Sequence, residues 1–174
     1  MKSQKRIVLV GFMGAGKSSV AEILSHHLNC QWVDLDEFIE SNENKTVAEI
    51  ISNLGEEVFR EIESDSLEQI MAAESLRVVS LGGGAWMNEA NREIIKKNDC
   101  LSFWLNTPFE TCWQRISQDK TSRPLAKNKT NARKLYKERK DSYALADVSL
   151  TIKAKQAPEE IASKIISRIK KNKV

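Results

Sequence analysis

Glycine, proline and cysteine are all scarce in this chain, and no apolar run is long enough to cross a bilayer. Its 174 residues hold seven glycines, three prolines and three cysteines. With so little Pro and Gly there is no linker, no low-complexity tract and no internal repeat, so one domain is expected over residues 1–174. Cys30, Cys100 and Cys112 leave an odd thiol in any pairing and lack metal-ligand spacing, which fits reduced, mostly buried side chains. The apolar runs, such as Ile7 to Val10, are strand-sized, and the N-terminus lacks the apolar region and cleavage site of a secretory signal. A cytoplasmic protein without a membrane partner is expected. Histidine is scarcer still: His26 and His27 fall late in a helical pattern and are expected on its surface.

What is present describes a globular chain, with 41% hydrophobic and 29% charged residues. The net charge of +3 is unevenly spread. Ten Lys or Arg residues lie between Arg115 and Lys140 against only Asp119 and Glu138, giving that segment +8 and leaving −5 for the rest. Such local cationic potential suits a polyanionic ligand and not a protein that coats nucleic acid.

Short aliphatic and β-branched runs alternate with helical patterns. Strands are expected at Ile7 to Val10, Gln31 to Asp34, Val78 to Leu81, Leu101 to Leu105 and Leu150 to Ile152. Runs that are apolar at every position suit strands covered on both faces, and helix-length connections require parallel pairing, so the fold class is α/β. Thr46 with Glu49, and Thr107 with Glu110, form expected capping boxes, the second with Pro108 at the first helical position. Val47, Ile50, Ile51 and Leu54 give an apolar stripe closed by Gly55. Gln118 to Asn131 is a long polar stretch read as a surface excursion near the ligand. Ile161, Ile165, Ile166 and Ile169 share one side of a final helix expected to pack on the sheet, although a membrane-surface helix has a similar pattern. Trp32, Trp104 and Trp113 are expected in the core.

Six of the seven glycines stand in two places. Gly11-Phe-Met-Gly14-Ala15-Gly16-Lys17-Ser18 matches the Walker A pattern, directly after a strand and before the apolar-periodic segment Val20, Ile23, Leu24, Leu28. Glycines let this backbone curl so that several N–H groups converge on phosphate oxygens at a helix N-terminus. Lys17 then reaches the β and γ phosphates and the Ser18 hydroxyl ligates Mg²⁺. The second group, Gly82-Gly83-Gly84, follows the third strand at the edge where open parallel sheets bind ligands, and a flexible turn explains it equally well.

Asp34 and Asp36 flank Leu35 at the end of the second strand and, in extended chain, point to the same side. One can hold the hydration shell of Mg²⁺ while the other accepts a proton from an attacking hydroxyl; a helix N-cap with a solvated neighbour is the alternative. Arg60 and Glu63, three apart on a helix whose buried side reads Phe59, Ile62 and Ile70, taken alone read as a surface ion pair.

The run Ile7 to Lys17, then Asp34-Leu-Asp36, Gly55-Glu-Glu-Val-Phe59-Arg60-Glu-Ile-Glu63, Gly82-Gly-Gly84, Arg123-Pro-Leu125 and Arg139 together resemble the shikimate kinases, over about residues 6 to 152. The resemblance implies a three-layer α/β/α P-loop NTPase fold with a five-stranded parallel sheet, a mobile lid at about 115–131 and a substrate-binding helical region at 36–65. It implies a monomer that transfers the γ-phosphoryl group of ATP to the 3-hydroxyl of shikimate with Mg²⁺. Gly14, Ala15, Gly16, Lys17, Ser18 and Ser19 would hold the nucleotide phosphates, with Ser18 and Asp34 serving the metal, Asp34 through water. Asp36 would bind shikimate and act as base; Arg60, Arg139 and the backbone of Gly82, Gly83 and Gly84 would complete the acceptor pocket. Arg123 would close over the phosphates and Arg115 would pack near adenine. Two residues depart from the family pattern, Ala126 after Arg-Pro-Leu and Trp86 after the glycine triplet.

Three other readings stand beside this one. A gluconate kinase shares the nucleotide half and also takes a carboxylate acceptor. A GTPase-like switch needs Asn-Lys-x-Asp, yet Asn44-Lys45 and Asn128-Lys129 are both followed by residues that lack the Asp. A nucleic-acid-binding module using the basic segment lacks interleaved aromatics, Tyr136 excepted.

Overall fold

The computed structural model describes residues 5–119 and 128–171. Five strands form one sheet: β1 (Ile7–Val10), β2 (Gln31–Asp34), β3 (Leu76–Ser80), β4 (Leu101–Asn106) and β5 (Val148–Thr151). Their order is β2-β3-β1-β4-β5, and every pairing is parallel. Between them run helices α1 (Lys17–Leu28), α2 (Leu35–Glu43), α3 (Val47–Leu54), α4 (Glu56–Ala72), α5 (Glu89–Lys97), α6 (Phe109–Gln118) and α7 (Lys129–Tyr143), with α8 (Pro158–Lys171) last. All four residues of β1 are buried, which requires helices on both faces of the sheet. The α/β reading therefore holds, and the strand positions hold to within two residues. Leu81 and Ile152 still extend the ladders by donating their N–H groups to Leu9 and Asn106.

Local signals explain most helix ends. At α3 the Thr46 hydroxyl accepts from the Glu49 N–H and the Glu49 carboxylate accepts from the Thr46 N–H, forming the expected capping box. Gly55, at φ 90°, ends that helix and starts the next. The stripe is only partly sunk: Ile50 is buried, while Leu54 is 48% exposed.

The second capping box does not form. α6 begins after Pro108, which makes no side-chain cap, and the Thr107 hydroxyl donates instead to the Ala15 carbonyl at 3.1 Å. Glu110 turns outward to Lys129 and Arg133. A buried backbone carbonyl needs a donor, and that demand outranks a helix end open to solvent.

Ile161 and Ile165 of α8 are buried, and α8 packs along α1, so the final helix is part of the fold. Among the described residues no helix is long and apolar enough to cross a membrane. Trp104 is buried, whereas Trp32 and Trp113 are only partly covered. The three cysteines are free, with Cys100 and Cys112 buried.

Candidate active site

The loop after β1 is built from conformations that only glycine adopts cheaply. Gly14 and Gly16 sit at φ 74° and 97°, and Gly16 leads into α1 from the left-handed region. A Cβ on Gly14 would stand 2.7 Å from the Cys112 carbonyl oxygen, so the loop also lies against α6. Thr107 and Arg115 hold it from that side, through Ala15 and through a 3.0 Å bond from Arg115 Nη1 to the Gly14 carbonyl. Arg115 is thus beside the phosphate loop itself. Lys17 is buried against the loop, its Nζ 3.0 Å from the carbonyls of both Gly11 and Phe12.

Three oxygens meet where β1, β2 and β3 end. Asp34 Oδ2 accepts from Ser18 Oγ at 2.6 Å and from Ser80 Oγ at 2.8 Å, and the two hydroxyls are 3.4 Å apart. Asp34 Oδ1 caps α2 by accepting from the N–H groups of Asp36 and Glu37. One carboxylate oxygen therefore serves as the helix cap, and the other gathers the two hydroxyls. An all-oxygen cluster beside a phosphate loop fits a hard cation such as Mg²⁺.

Asp36 is not in extended chain. The helix α2 starts at Leu35, so Asp36 reaches the pocket from the first helical turn and not by strand alternation. Its carboxylate rests on the glycine triplet: a Cβ on Gly82 would lie 2.5 Å from Asp36 Oδ1.

Gly84 is tight for the same reason, whereas Gly83 is tight against the Met13 backbone nitrogen, 3.2 Å from where its Cβ would stand. A Cβ on Gly83 would stand 3.5 Å from Arg139 Nη1, and one on Gly84 only 2.6 Å from Arg60 Nη2. None of the three has positive φ. Close approach, not turn flexibility, is what excludes a side chain here.

Arg60 and Glu63 are not a surface pair. Glu63 is 1% exposed and accepts from Arg60 Nη1, while Arg60 Nη2 goes to Glu56 at 2.9 Å. Burial pushes the Glu63 carboxyl up to about 7, against the pull of Arg60. Arg139 on α7 is also buried. Burial raises Glu37 as well, aided by Asp34 and Glu40, and pushes the Cys112 thiol up to about 11, which leaves it inert as a nucleophile.

One cavity of about 490 Å³ joins these groups. Gly14, Gly16, Lys17, Ser18 and Ser19 line one end, and Asp36, Arg60, Gly82, Gly83, Gly84 and Arg139 the other, with Asp34 and Arg115 between or beside them. Val47, Ile51, Phe59 and Leu81 add an apolar wall. Arg123 and Ala126 lie outside the described residues, as does most of the polar stretch from Gln118 to Asn131.

A phosphate loop at the edge of a parallel sheet, facing a carboxylate and two arginines across one cavity, defines a P-loop small-molecule kinase. The family model described as shikimate kinase matches residues 13–170. A shikimate kinase of Persephonella marina is 37% identical over 95% of this chain and 99% of its own length, and one from Lactococcus lactis is 39% identical over 91% and 94%. The solved structure of shikimate kinase from Acinetobacter baumannii in complex with shikimate superposes with a TM-score of 0.92 at 33% identity, covering 99% of this chain and 97% of that one. The chain belongs to the shikimate kinase family. A gluconokinase from Sinorhizobium meliloti, 12% identical with a TM-score of 0.59, shares the fold alone.

Sequence reasoning missed Ser80, Glu63, Tyr143 and Thr107 as parts of the site. Ser80 ends a strand at the register of Asp34, which is a usable signal once the pairing is known. Thr107 and Tyr143 act through backbone carbonyls that no local pattern marks.

Proposed function

We propose that the chain transfers the γ-phosphoryl group of ATP directly to the 3-hydroxyl of shikimate, as a cytoplasmic monomer acting on small molecules and not on nucleic acid. The single observation that supports this most is the glycine triplet, against which Asp36, Arg139 and Arg60 are packed in that order within reach of the phosphate loop. Arg60 and Arg139 grip the acceptor carboxylate with planar guanidinium donors. That docking turns an acceptor hydroxyl toward Asp36, which takes its proton as the oxygen attacks phosphorus in line. The new O–P bond replaces the bond to the β-phosphate oxygen, and ADP leaves.

Lys17 and the amides of Gly14, Ala15, Gly16, Ser18 and Ser19 hold the phosphates, and Arg115 borders the adenine side. Mg²⁺ would be held by the Ser18 hydroxyl and, through water, by Asp34; when bound it offsets charge between the β and γ phosphates. Ser80 keeps a donor on Asp34 Oδ2 whichever way the Ser18 hydroxyl turns. Residues 36–65 form the acceptor side and residues 115–131 the lid, from which Arg123 neutralises charge that builds up during transfer.

ADP release by purified protein with Mg-ATP, with and without shikimate, tests the reading. Release is expected only with shikimate, not with gluconate, and is lost in Lys17→Ala. Equal release with gluconate would displace the acceptor assignment.

A further inference from the structure

Arg139 and Tyr143 are four residues apart on α7 and so face the same way. Arg139 carries its guanidinium to Gly83 and hydrogen-bonds the Tyr143 side chain, and Tyr143 carries a hydroxyl to the carbonyl of that same glycine. The tyrosine is 2% exposed and its ring stacks on Trp104 at 6.1 Å between centroids and 26° between planes. It cannot swing away without opening the core. Burial pushes its hydroxyl up to about 12, so it remains a donor throughout the working range.

The peptide joining Gly83 to Gly84 separates the two guanidiniums, since Gly83 meets Arg139 and Gly84 meets Arg60. Adjacent Cα atoms are about 3.8 Å apart across a trans peptide, so this one unit sets the spacing of the grip. A peptide between two glycines is also the kind most free to flip. Its flanks are tied on both sides. Trp86 Nε1 donates to the Ser142 carbonyl of α7 at 2.8 Å. On the other side Asn91 Nδ2 donates to the Ala85 carbonyl at 3.0 Å and Ser64 Oγ to Asn91 Oδ1 at 2.7 Å, reaching α4, the helix of Arg60. Among the described residues, the Tyr143 bond is the one that lands on the spacer itself.

We propose that Tyr143 is a positioning residue for the acceptor carboxylate: by fixing the Gly83 carbonyl it stops the Gly83–Gly84 peptide from flipping and sets the separation of Arg139 and Arg60. This rests on the reading of those two arginines as the acceptor grip. A trans peptide points its N–H opposite to its carbonyl, so the same bond turns the Gly84 N–H away from Tyr143.

Tyr143→Phe keeps the ring and its stack and removes only the hydroxyl. Steady-state kinetics in both substrates should show the shikimate KM raised about tenfold, as expected when the hydroxyl's bonds to the Gly83 carbonyl and the Arg139 side chain are lost, with the ATP KM held within about a factor of two. Arg139→Ala is run beside it and should raise the shikimate KM further. A Tyr143→Phe enzyme that loses thermal stability but keeps its shikimate KM, or loses affinity for both substrates alike, overturns the proposal while a raised KM in Arg139→Ala leaves the grip intact. An unchanged shikimate KM in Arg139→Ala removes the grip and the proposal together. If Tyr143→Phe does not accumulate folded, 4-fluorophenylalanine at position 143, which fills the space of the hydroxyl without a donor, must show the same selective rise for the proposal to stand.

Discussion

Glu63 takes two hydrogen bonds from a single nitrogen of Arg60, at 3.0 and 2.9 Å, in a setting that leaves its side chain 1% exposed. Burial costs the carboxylate more than the guanidinium returns, so its pKa is pushed up to about 7. A carboxyl that binds its proton more tightly when folded favours folding most below its unfolded value near 4.5, and that contribution is lost as pH rises through about 7. Glu63→Gln removes the titration. Relative to wild type, the variant should therefore gain stability between pH 5.5 and 8.5, by on the order of 2 kcal/mol. Urea denaturation at the two pH values checks this, and a difference independent of pH contradicts it.

Gly82→Ala and Gly84→Ala should damage different kinetic constants. The new methyl at Gly82 falls 2.5 Å from Asp36 Oδ1, and at Gly84 it falls 2.6 Å from Arg60 Nη2. Both obstacles are ends of side chains that can move aside, so folding survives and the displaced group loses its place. Gly84→Ala should raise the shikimate KM about tenfold, whereas Gly82→Ala should lower kcat about a hundredfold through the base. Initial rates over a matrix of shikimate concentrations separate the two.

Gly14→Ala is expected to fail in another way. Its Cβ would stand 2.7 Å from the Cys112 carbonyl, which is backbone and cannot rotate away, and its φ of 74° is strained for alanine. A loss on the order of 3 kcal/mol follows, and a drop of roughly 10 °C in Tm by calorimetry is the readout.

The difference between those glycines explains how far the sequence could be read. The phosphate loop is contiguous, so Gly14, Gly16, Lys17 and Ser18 carry their geometry in their spacing, and β1 and α1 frame them as expected. The triplet at 82–84 read equally well as a flexible turn or a ligand edge because its reason lies elsewhere in the chain, in Asp36, Met13 and Arg60. Asp36 lines the cavity of the phosphate loop from a helical turn and not by strand alternation, since Asp34 already caps a helix that starts at Leu35. Arg60 with Glu63 has the spacing of many surface pairs, and only burial by the rest of the fold distinguishes it. Thr107 had a helix-capping pattern and spent its hydroxyl on Ala15 instead.

Asp36→Asn isolates the proton from everything else the carboxylate does. Asparagine keeps the shape and one acceptor oxygen, so it still rests on Gly82 and still receives a hydroxyl, but it is too weak a base to remove the proton. Lys17, Ser18 and the loop amides are untouched, so nucleotide affinity should stay within about a factor of two while kcat falls at least about a hundredfold. Titration calorimetry with ADP and coupled assay of ADP release measure the two quantities on one preparation. Loss of nucleotide binding would mean that Asp36 organises the phosphate loop and not the acceptor. Near-normal turnover would move the base to another residue, and the role of the Gly82 contact with it.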